Sequence, residues 1–405
     1  MNSIRLYKNL FDQYEKYRET TLNSDIVKHS EITQKLDNLK QKNNFKISQL
    51  GKSVEGREIF SVEFGQGKTK ILAWSQMHGD EPTATAALFD IISFFSTDDS
   101  FNDFRSFALN KINFHFIPML NPDGAEKYKR GNAFNIDINR DALRKVSFES
   151  KILWNYAEKL QPDFGFNLHD QNSYYTVGRT NNPAAISLLA PPINHVKSID
   201  YTREQSMQVI YKIFEALSIF VPDNIARYSD EHEPRSFGDN FVKNKISSIL
   251  IESGFYKNDK SKNFVRKLNF IAMLAAFDTI SQINFTKIDY TKYFNIPENQ
   301  QLLFDLLLRN LSFKCEGNNF TIDIGIKREK MLDKNEKTFN YKSKIAEIGD
   351  LSIYYGIEEF DLKGYEINLP TPLCVEDAAD FKILKNGIME FEILNGFINA
   401  KEVKK

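Results

Sequence analysis

The sequence predicts an α/β fold, a mixed and mostly parallel sheet with helices on both faces, followed by a small all-β domain at the C-terminus. Three observations predict it. Between about residues 70 and 283, short apolar runs alternate with longer segments whose apolar residues recur at helical spacing, the pattern of strand–helix–strand units. Past about residue 310 the helical signal fades and two-residue alternation takes over. The chain has 405 residues, room for two or three domains at roughly 150 residues each.

Residues 4–43 place Leu6, Leu10, Phe11 and Tyr14 at helical spacing, one or two amphipathic helices expected to pack on the domain that follows. Residues 46–50 and 58–64 read as short strands around a Gly-containing turn. Then come a strand at 70–76, a helix at 82–95 with Pro82 in its first turn, a strand at 111–119 and a helix at 147–160. A strand at 163–168, a helix at 201–220, a buried-type strand at 246–251 and a long helix at 260–283 complete the alternation. Such alternation favours a sheet covered on both faces. The character changes around 285–310, which sets the boundaries: 1–44 for the N-terminal helical segment, 45–290 for the α/β domain and 297–405 for a small β-sandwich domain. In the tail, residues 319–327, 344–348, 365–368 and 381–394 fit strands, and Asn386-Gly387 between FKILK and IMEFEIL is a strong hairpin signal. Residues 297–310 stay ambiguous, because Pro297 can open a helix while DLLLRNLSF can form a strand.

Composition excludes more than it assigns. Hydrophobic residues make up 41% and charged ones 26%, as in an ordinary folded protein with enough apolar mass for a sizeable core. Fifty-three basic against 54 acidic residues leave a formal net charge of −1, which removes any global argument for a nucleic-acid or acidic-membrane partner. The two Cys, Cys315 and Cys374, make neither a disulfide framework nor a thiolate zinc site. Any metal site must therefore draw on carboxylates and on the six His. The N-terminus MNSIRLYKNLFDQYEKYRET has scattered charge and no continuous apolar core, unlike a secretory signal. The longest mostly apolar stretches, 84–95 and 270–277, are too short to span a bilayer. A cytoplasmic location is the expectation, or a periplasmic one for a chain whose signal has been removed.

The chemistry concentrates in a few places. His78 lies in Met77-His78-Gly79-Asp80-Glu81-Pro82, directly after the strand ILAWSQ. A His and a Glu three apart at a strand-to-helix junction can turn toward one point, and the carboxyl ends of strands are where open α/β sheets bind ligands. His169 ends another strand. Two His and one Glu form the three-ligand set of a catalytic zinc, with a fourth position left for water. Taken singly, His-x-x-Glu is a chance pattern and a His after a strand is a hydrogen-bonded loop residue; the two together, at the ends of neighbouring strands, favour a metal. Asn121-Pro122-Asp123-Gly124 reads as a turn. In Asn135-Ile136-Asp137-Ile138-Asn139-Arg140-Asp141, Asp137 can accept a hydrogen bond from a metal-bound imidazole. Arg140 can pair with a substrate carboxylate, although a solvated charged loop would look the same. Glu252 ends the run Ser248-Ile249-Leu250-Ile251. A carboxylate there needs a salt-bridge partner or a task, such as acting as a general base.

These pieces resemble the zinc carboxypeptidases, the carboxypeptidase A-like metallopeptidases. The resemblance runs from about residue 50 to 283. It opens on Leu50-Gly51-Lys52-Ser53-Val54-Glu55-Gly56-Arg57 and continues through HGDE, NPDG, NIDINRD, the His169 strand and ILIESG in the family's order. It implies a zinc-exopeptidase-like fold with one zinc ion per chain, held by His78, Glu81 and His169. It implies Glu252 as the general base that activates the water and passes its proton to the leaving amine. Arg130 is implied as the partner of the developing oxyanion, Asn139 and Arg140 as the grip on the substrate's terminal carboxylate, and Asp137 as the carboxylate behind the first His. The family's mobile Tyr has its nearest candidate in Tyr228, which a Tyr packed at a loop base would match as well. His232 with Asp230, Glu231 and Glu233 reads as a solvated loop able to line the pocket, and His29, His115 and His195 read as structural.

The activity implied is hydrolysis of a peptide bond next to a free carboxylate, on a peptide or peptide-like substrate. No nucleic acid or membrane partner is expected, and the oligomeric state is open. Two relatives in the same superfamily compete. Muropeptide amidases acting at a D-glutamyl–diaminopimelate bond also suit HGDE, and aspartoacylase-like acyl-amino-acid deacylases share HGxE and carry a small β domain. The 51–57 opening and NPDG favour the peptidase branch. A non-catalytic binding protein would have lost a ligand or the base, and neither is lost. In 305–310, 323–326 and 344–351 the tail resembles the β-sandwich that flanks the barrel of urease-like amidohydrolases. Their barrel and His-x-His motif are absent, so packing, substrate shaping or oligomerisation is the role expected of it.

Overall fold

In the computed structural model, residues 3–42, 44–282, 284–315, 317–333, 338–368 and 373–400 are described. The chain divides into two units, residues 1–172 with 184–299, and residues 173–183 with 300–405.

The first unit opens with α1 (Ser3–Asp12), α2 (His29–Lys40), β1 (Lys46–Lys52), β2 (Glu58–Phe64) and β3 (Thr69–Trp74). It continues with α3 (Thr83–Phe95), α4 (Asn102–Lys111), β4 (Ile112–Ile117), α5 (Pro122–Lys127), α6 (Phe148–Leu160) and β5 (Phe164–Asp170). The short β6 (Tyr175–Val177) goes to the second unit. Then follow β7 (Ile186–Leu189), α7 (Tyr201–Leu217), β8 (Ile225–Arg227), α8 (Phe237–Lys243), β9 (Ser247–Ser253) and α9 (Asn263–Ser281).

Eight strands join in one sheet in the order β1-β2-β4-β3-β5-β9-β7-β8. The central four, β4, β3, β5 and β9, run parallel, while β1/β2, β2/β4 and β7/β9 pair antiparallel. The mixed sheet expected from the alternation is therefore present. Side-chain alternation sends Ile71 and Ala73 into a core shared with α3, α7 and α9, and sends Leu72 and Trp74 into a second core shared with α6 and α8. Both faces are covered, which is why the central strands are apolar on successive residues. The helix α3 is buried almost all round, as a helix central to a core must be. Its cap is Pro82, one residue before the helix begins.

The N-terminal helices add Leu6, Leu10, Leu36 and Leu39 to the first of these cores. A buried ion pair holds the segment between them. Arg266 on α9 contacts Asp90 on α3 at 2.5 and 2.7 Å, and also donates to the carbonyls of Glu19 and Leu22. Asp90 accepts in turn from the Tyr14 hydroxyl and the Glu19 N–H.

After β10 (Asn299–Gln301), whose first residue is the last of the first unit, the second unit holds β11 (Leu303–Cys315), β12 (Asn318–Leu332), β13 (Phe339–Gly349) and β14 (Tyr355–Asp361). After these come β15 (Glu366–Asn368), β16 (Phe381–Lys385), β17 (Ile388–Leu394) and β18 (Phe397–Ala400). Hydrogen bonding runs in the order β13-β12-β11-β15-β16-β17-β18, with β14 against β11. The ambiguous stretch at 297–310 is strand where Leu306 and Leu308 enter the core of this unit. A register shift between Leu308 and Leu311, with Asn310 at φ +56°, marks a bulge. Asn386 and Gly387 take φ values of +52° and +75°, the conformation a two-residue type I′ hairpin requires. The segment 173–183 is sewn to this unit by its backbone. Leu303 N–H donates to the Tyr174 carbonyl at 3.1 Å, and the Tyr174 hydroxyl donates to Asp305 at 2.9 Å. Among the described residues, no helix is long and apolar enough to cross a membrane.

Candidate active site

The loop after β3 turns at Gln76, whose φ of +47° is uncommon for a residue with a Cβ. Both ends of its amide hold it there: Nε2 donates to the carbonyls of Val27 and Gly79, and Oε1 accepts from Thr85. Gly79 then passes so close to α5 that a Cβ would lie 2.0 Å from the Gly124 carbonyl carbon. The sequence NPDG, expected to be a turn, is instead the capped start of α5. Asn121 accepts the Gly124 N–H at 2.9 Å and donates to the Met77 carbonyl at 3.2 Å. Asp123, fully buried, accepts from the Ser53 hydroxyl and Arg57 at 2.7 Å each and from the Glu55 N–H at 2.9 Å. The 51–57 segment and NPDG are thus two halves of one support beneath the His78 loop.

The sheet order places β3 beside β5, with β4 on the other side of β3. At this reversal of strand order the carboxyl ends open a crevice. His78 Nδ1 lies 2.7 Å from one oxygen of Glu81, and His169 Nδ1 lies 2.7 Å from the other. The three donor atoms all fall within 4.8 Å of one another, and all three residues are buried. Burial opposes the ionised form of Glu81, but the two imidazoles outweigh it and hold the carboxyl well below its ordinary value. Burial also works against a charged His78, yet the Glu81 charge and the Asp137 hydrogen bond push it up to about 9. His169 is lowered by burial. Two imidazole nitrogens and one carboxylate, converging in a dry pocket, fit a single zinc ion with a fourth position open.

Neighbouring groups fix these donors. His78 Nε2 lies 3.0 Å from Asp137 Oδ1, the placement that sets a metal-ligating imidazole's orientation. Arg130 donates from Nε to Asp137 at 3.0 Å and from Nη1 to Glu81 at 3.2 Å. Asp137 is held well below its ordinary value, because the contacts with His78 and the charges of Arg130 and Arg140 outweigh burial. Asn139 Nδ2 lies 3.4 Å from His169 Nε2, and its Oδ1 accepts the Phe237 N–H at 3.0 Å. Arg140 donates from Nη1 to the Asn139 carbonyl at 2.9 Å, and its Nε lies 3.2 Å from Glu233.

Glu252 stands directly beside His169 in the parallel β5/β9 register. Burial, followed by repulsion from Glu81, raises its carboxyl to about 8. The chain can leave β9 only through a glycine, since a Cβ at Gly254 would lie 1.9 Å from the Ala184 carbonyl oxygen. Tyr228 sits just past β8, two strands from β9, with its N–H bonded to the Leu188 carbonyl.

Within 230–233, expected to be a solvated loop able to line the pocket, Glu231 is exposed but its neighbours are paired. Asp230 is buried and pairs with Lys197 at 2.5 Å and Arg203 at 2.9 Å. His232 Nδ1 is 2.8 Å from Asp239, and its ring packs edge-on against His195 at 4.7 Å. Glu233 is gripped by Arg235 and touches Arg140. Nothing in the linear sequence distinguishes Glu233 and Arg235 from other charges; only the fold sets them on Arg140. Elsewhere His115 meets the Tyr156 hydroxyl and His29 the Glu58 carbonyl, away from the cluster.

Residues 32–204 match the model of a family described as zinc carboxypeptidase. Over 145 residues the chain is 27% identical to carboxypeptidase SOL1 of Arabidopsis thaliana, covering 34% of this chain and 29% of that protein. Over 116 residues it is 29% identical to carboxypeptidase D of Homo sapiens, covering 24% of this chain and 8% of that protein. The alignments thus span less than a third of these relatives' own length. Among solved structures, a metallo-carboxypeptidase from Burkholderia cenocepacia shares the fold at a TM-score of 0.51 and 18% identity, over 63% of this chain and 69% of that one. A metallo-carboxypeptidase from Pseudomonas aeruginosa, in complex with (2-guanidinoethylmercapto)succinic acid, does so at 0.52 and 14%, over 64% and 70%. The family match covers the His78, Glu81 and His169 positions that the fold draws into one donor set.

Proposed function

We propose that this protein is a zinc-dependent carboxypeptidase that hydrolyses the amide bond joining a residue with a free carboxylate to the rest of a peptide. The observation that carries the proposal is the meeting of the His78–Glu81–His169 donor set with Glu252, in register beside His169. His78, Glu81 and His169 would hold one zinc ion, which when bound supplies Lewis acidity to the scissile carbonyl and the attacking water. Glu252 takes a proton from that water and delivers it to the leaving amine nitrogen. A carboxyl raised toward neutrality can both accept a proton and give it back at working pH. Arg130 turns its guanidinium to the oxyanion as charge develops, a contribution typically worth about 3–4 kcal/mol. Arg140 and Asn139 bind the terminal carboxylate, and Tyr228 joins them as a substrate-binding residue. Asp137 orients both His78 and Arg130.

Glu252→Gln tests this directly. The variant should keep one zinc per chain by metal analysis and lose turnover on peptides with a free C-terminus. Turnover at the parent rate would overturn the mechanism. Peptides, muropeptides and acylated amino acids assayed side by side assign the substrate class, and hydrolysis confined to either of the last two would move the activity to that branch.

A further inference from the structure

We infer that Arg235 sets the strength of the carboxylate grip at Arg140, by neutralising Glu233 so that Glu233 positions the Arg140 guanidinium without cancelling its charge. The inference deepens the proposed function and rests on Arg140 as the carboxylate-binding residue. Arg235 holds Glu233 by a two-pronged contact, Nε to Oε1 at 2.9 Å and Nη2 to Oε2 at 2.7 Å, the geometry in which arginine binds a carboxylate most firmly. The same Oε2 lies 3.2 Å from Arg140 Nε. Arg140 Nη1 is tied from the other side to the Asn139 carbonyl. An arginine has five N–H donors in a fixed fork. With one Nη1 hydrogen given to the Asn139 carbonyl and Nε against Glu233, the two Nη groups keep N–H donors for a ligand.

The backbone fixes this arrangement as well. The Arg235 N–H donates to Glu233 Oε1 at 3.1 Å, the Arg235 carbonyl accepts the Ala142 N–H at 3.0 Å, and the Glu233 N–H donates to Asp239 at 3.1 Å. Glu233 is therefore a permanent neighbour of Arg140 rather than a passing surface contact. Its carboxyl is held at about 2, first by Arg235, so it is ionised at any working pH. Arg140 and Glu233 alone would make a neutral pair in which Glu233 competes with an incoming carboxylate. Adding Arg235 leaves one net positive charge on a rim where the side chains of Arg140 and Arg235 are 39% and 57% exposed.

The test uses the zinc-loaded full chain and calorimetric titration with a panel of N-acetyl amino acids and their carboxamides. The ratio of the two affinities measures recognition of the free carboxylate. The parent protein should prefer the acids, and Arg140→Gln should remove the preference. Arg235→Gln should reduce it roughly fivefold, the scale of a partly exposed ion pair. Adding Glu233→Gln to Arg235→Gln should restore it, an outcome that mere loss of packing would not produce. With a hydrolysed peptide, Arg235→Gln should raise KM and leave kcat near the parent value. A parent-like ratio in Arg235→Gln, or no recovery in the double variant, overturns the inference alone. No acid preference in the parent, or an undiminished one in Arg140→Gln, overturns the assignment of Arg140 and the inference with it.

Discussion

Glu252 has an ordinary carboxyl in the unfolded chain and one raised to about 8 in the fold, by burial and by Glu81. A raised carboxyl favours the folded state most at pH values below its unfolded value of about 4.3. That contribution is lost as pH rises through the folded value. Metal-free protein should therefore lose stability between about pH 5 and 9, and Glu252→Gln should remove part of that slope, an effect of the order of a few kcal/mol. Urea unfolding in the presence of a chelator, at a series of pH values, measures it, and identical slopes for the two proteins would contradict the assignment. At this scale much of the site is legible in the sequence. His169 and Glu252 stand at the ends of apolar strands, and His78 and Glu81 in the short loop between an apolar strand and an apolar helix, where a polar residue is conspicuous. Glu233 and Arg235 are not legible, because charges in a charged run look alike until a partner from residue 140 arrives. Asp230 misleads for the same reason: its burial depends on Arg203, which lies on α7.

Among the elements, the boundaries of α3, α6, β2 and β5 follow from local pattern, since a Pro or Ser cap and a run of apolar residues suffice to place them. The elements α4, β7, β8 and α8 are too short for such local signals to place them, even where α8 has its Ser236 cap. They are three to ten residues long, and neighbouring strands and helices decide their conformation. The contact between α3 and α9 likewise appears only in the fold. Arg266 and Asp90 are 176 residues apart in sequence and fully buried together. Arg266→Leu strands the Asp90 charge in the core, with an expected cost of about 3–5 kcal/mol in urea unfolding. Replacing both residues by apolar ones should recover only part of that loss: the desolvation of two charges is removed with their attraction, but the Tyr14 hydroxyl, the Glu19 N–H and the Glu19 and Leu22 carbonyls lose these partners. A single variant with parent stability would contradict the role of this pair in holding residues 14–22.

In the whole molecule, the division is not a single cut. Residues 173–183 belong with 300–405, although in sequence they lie between β5 and β7 of the first unit. A chain ending at residue 299 would leave the Tyr174 hydroxyl without Asp305 and its carbonyl without Leu303. Such a truncation should become susceptible to limited proteolysis within 173–183, whereas the full chain should resist there. Equal resistance would show that this segment takes no support from the later strands.

The sequence by itself determined the class of the fold, the strands and helices with strong periodicity and the hairpin at Asn386-Gly387, and it singled out His78, Glu81 and His169 as candidate metal donors. These depend on contacts a few residues apart or on polar residue types placed together at the ends of apolar strands. The tertiary structure alone decided that NPDG is a helix start braced by Ser53 and Arg57, that 173–183 pairs with the tail, and that Arg140 shares Glu233 with Arg235. Each of these is fixed by hydrogen bonds or ion pairs between groups distant in sequence, and the conformation of one partner carries no local trace of the other.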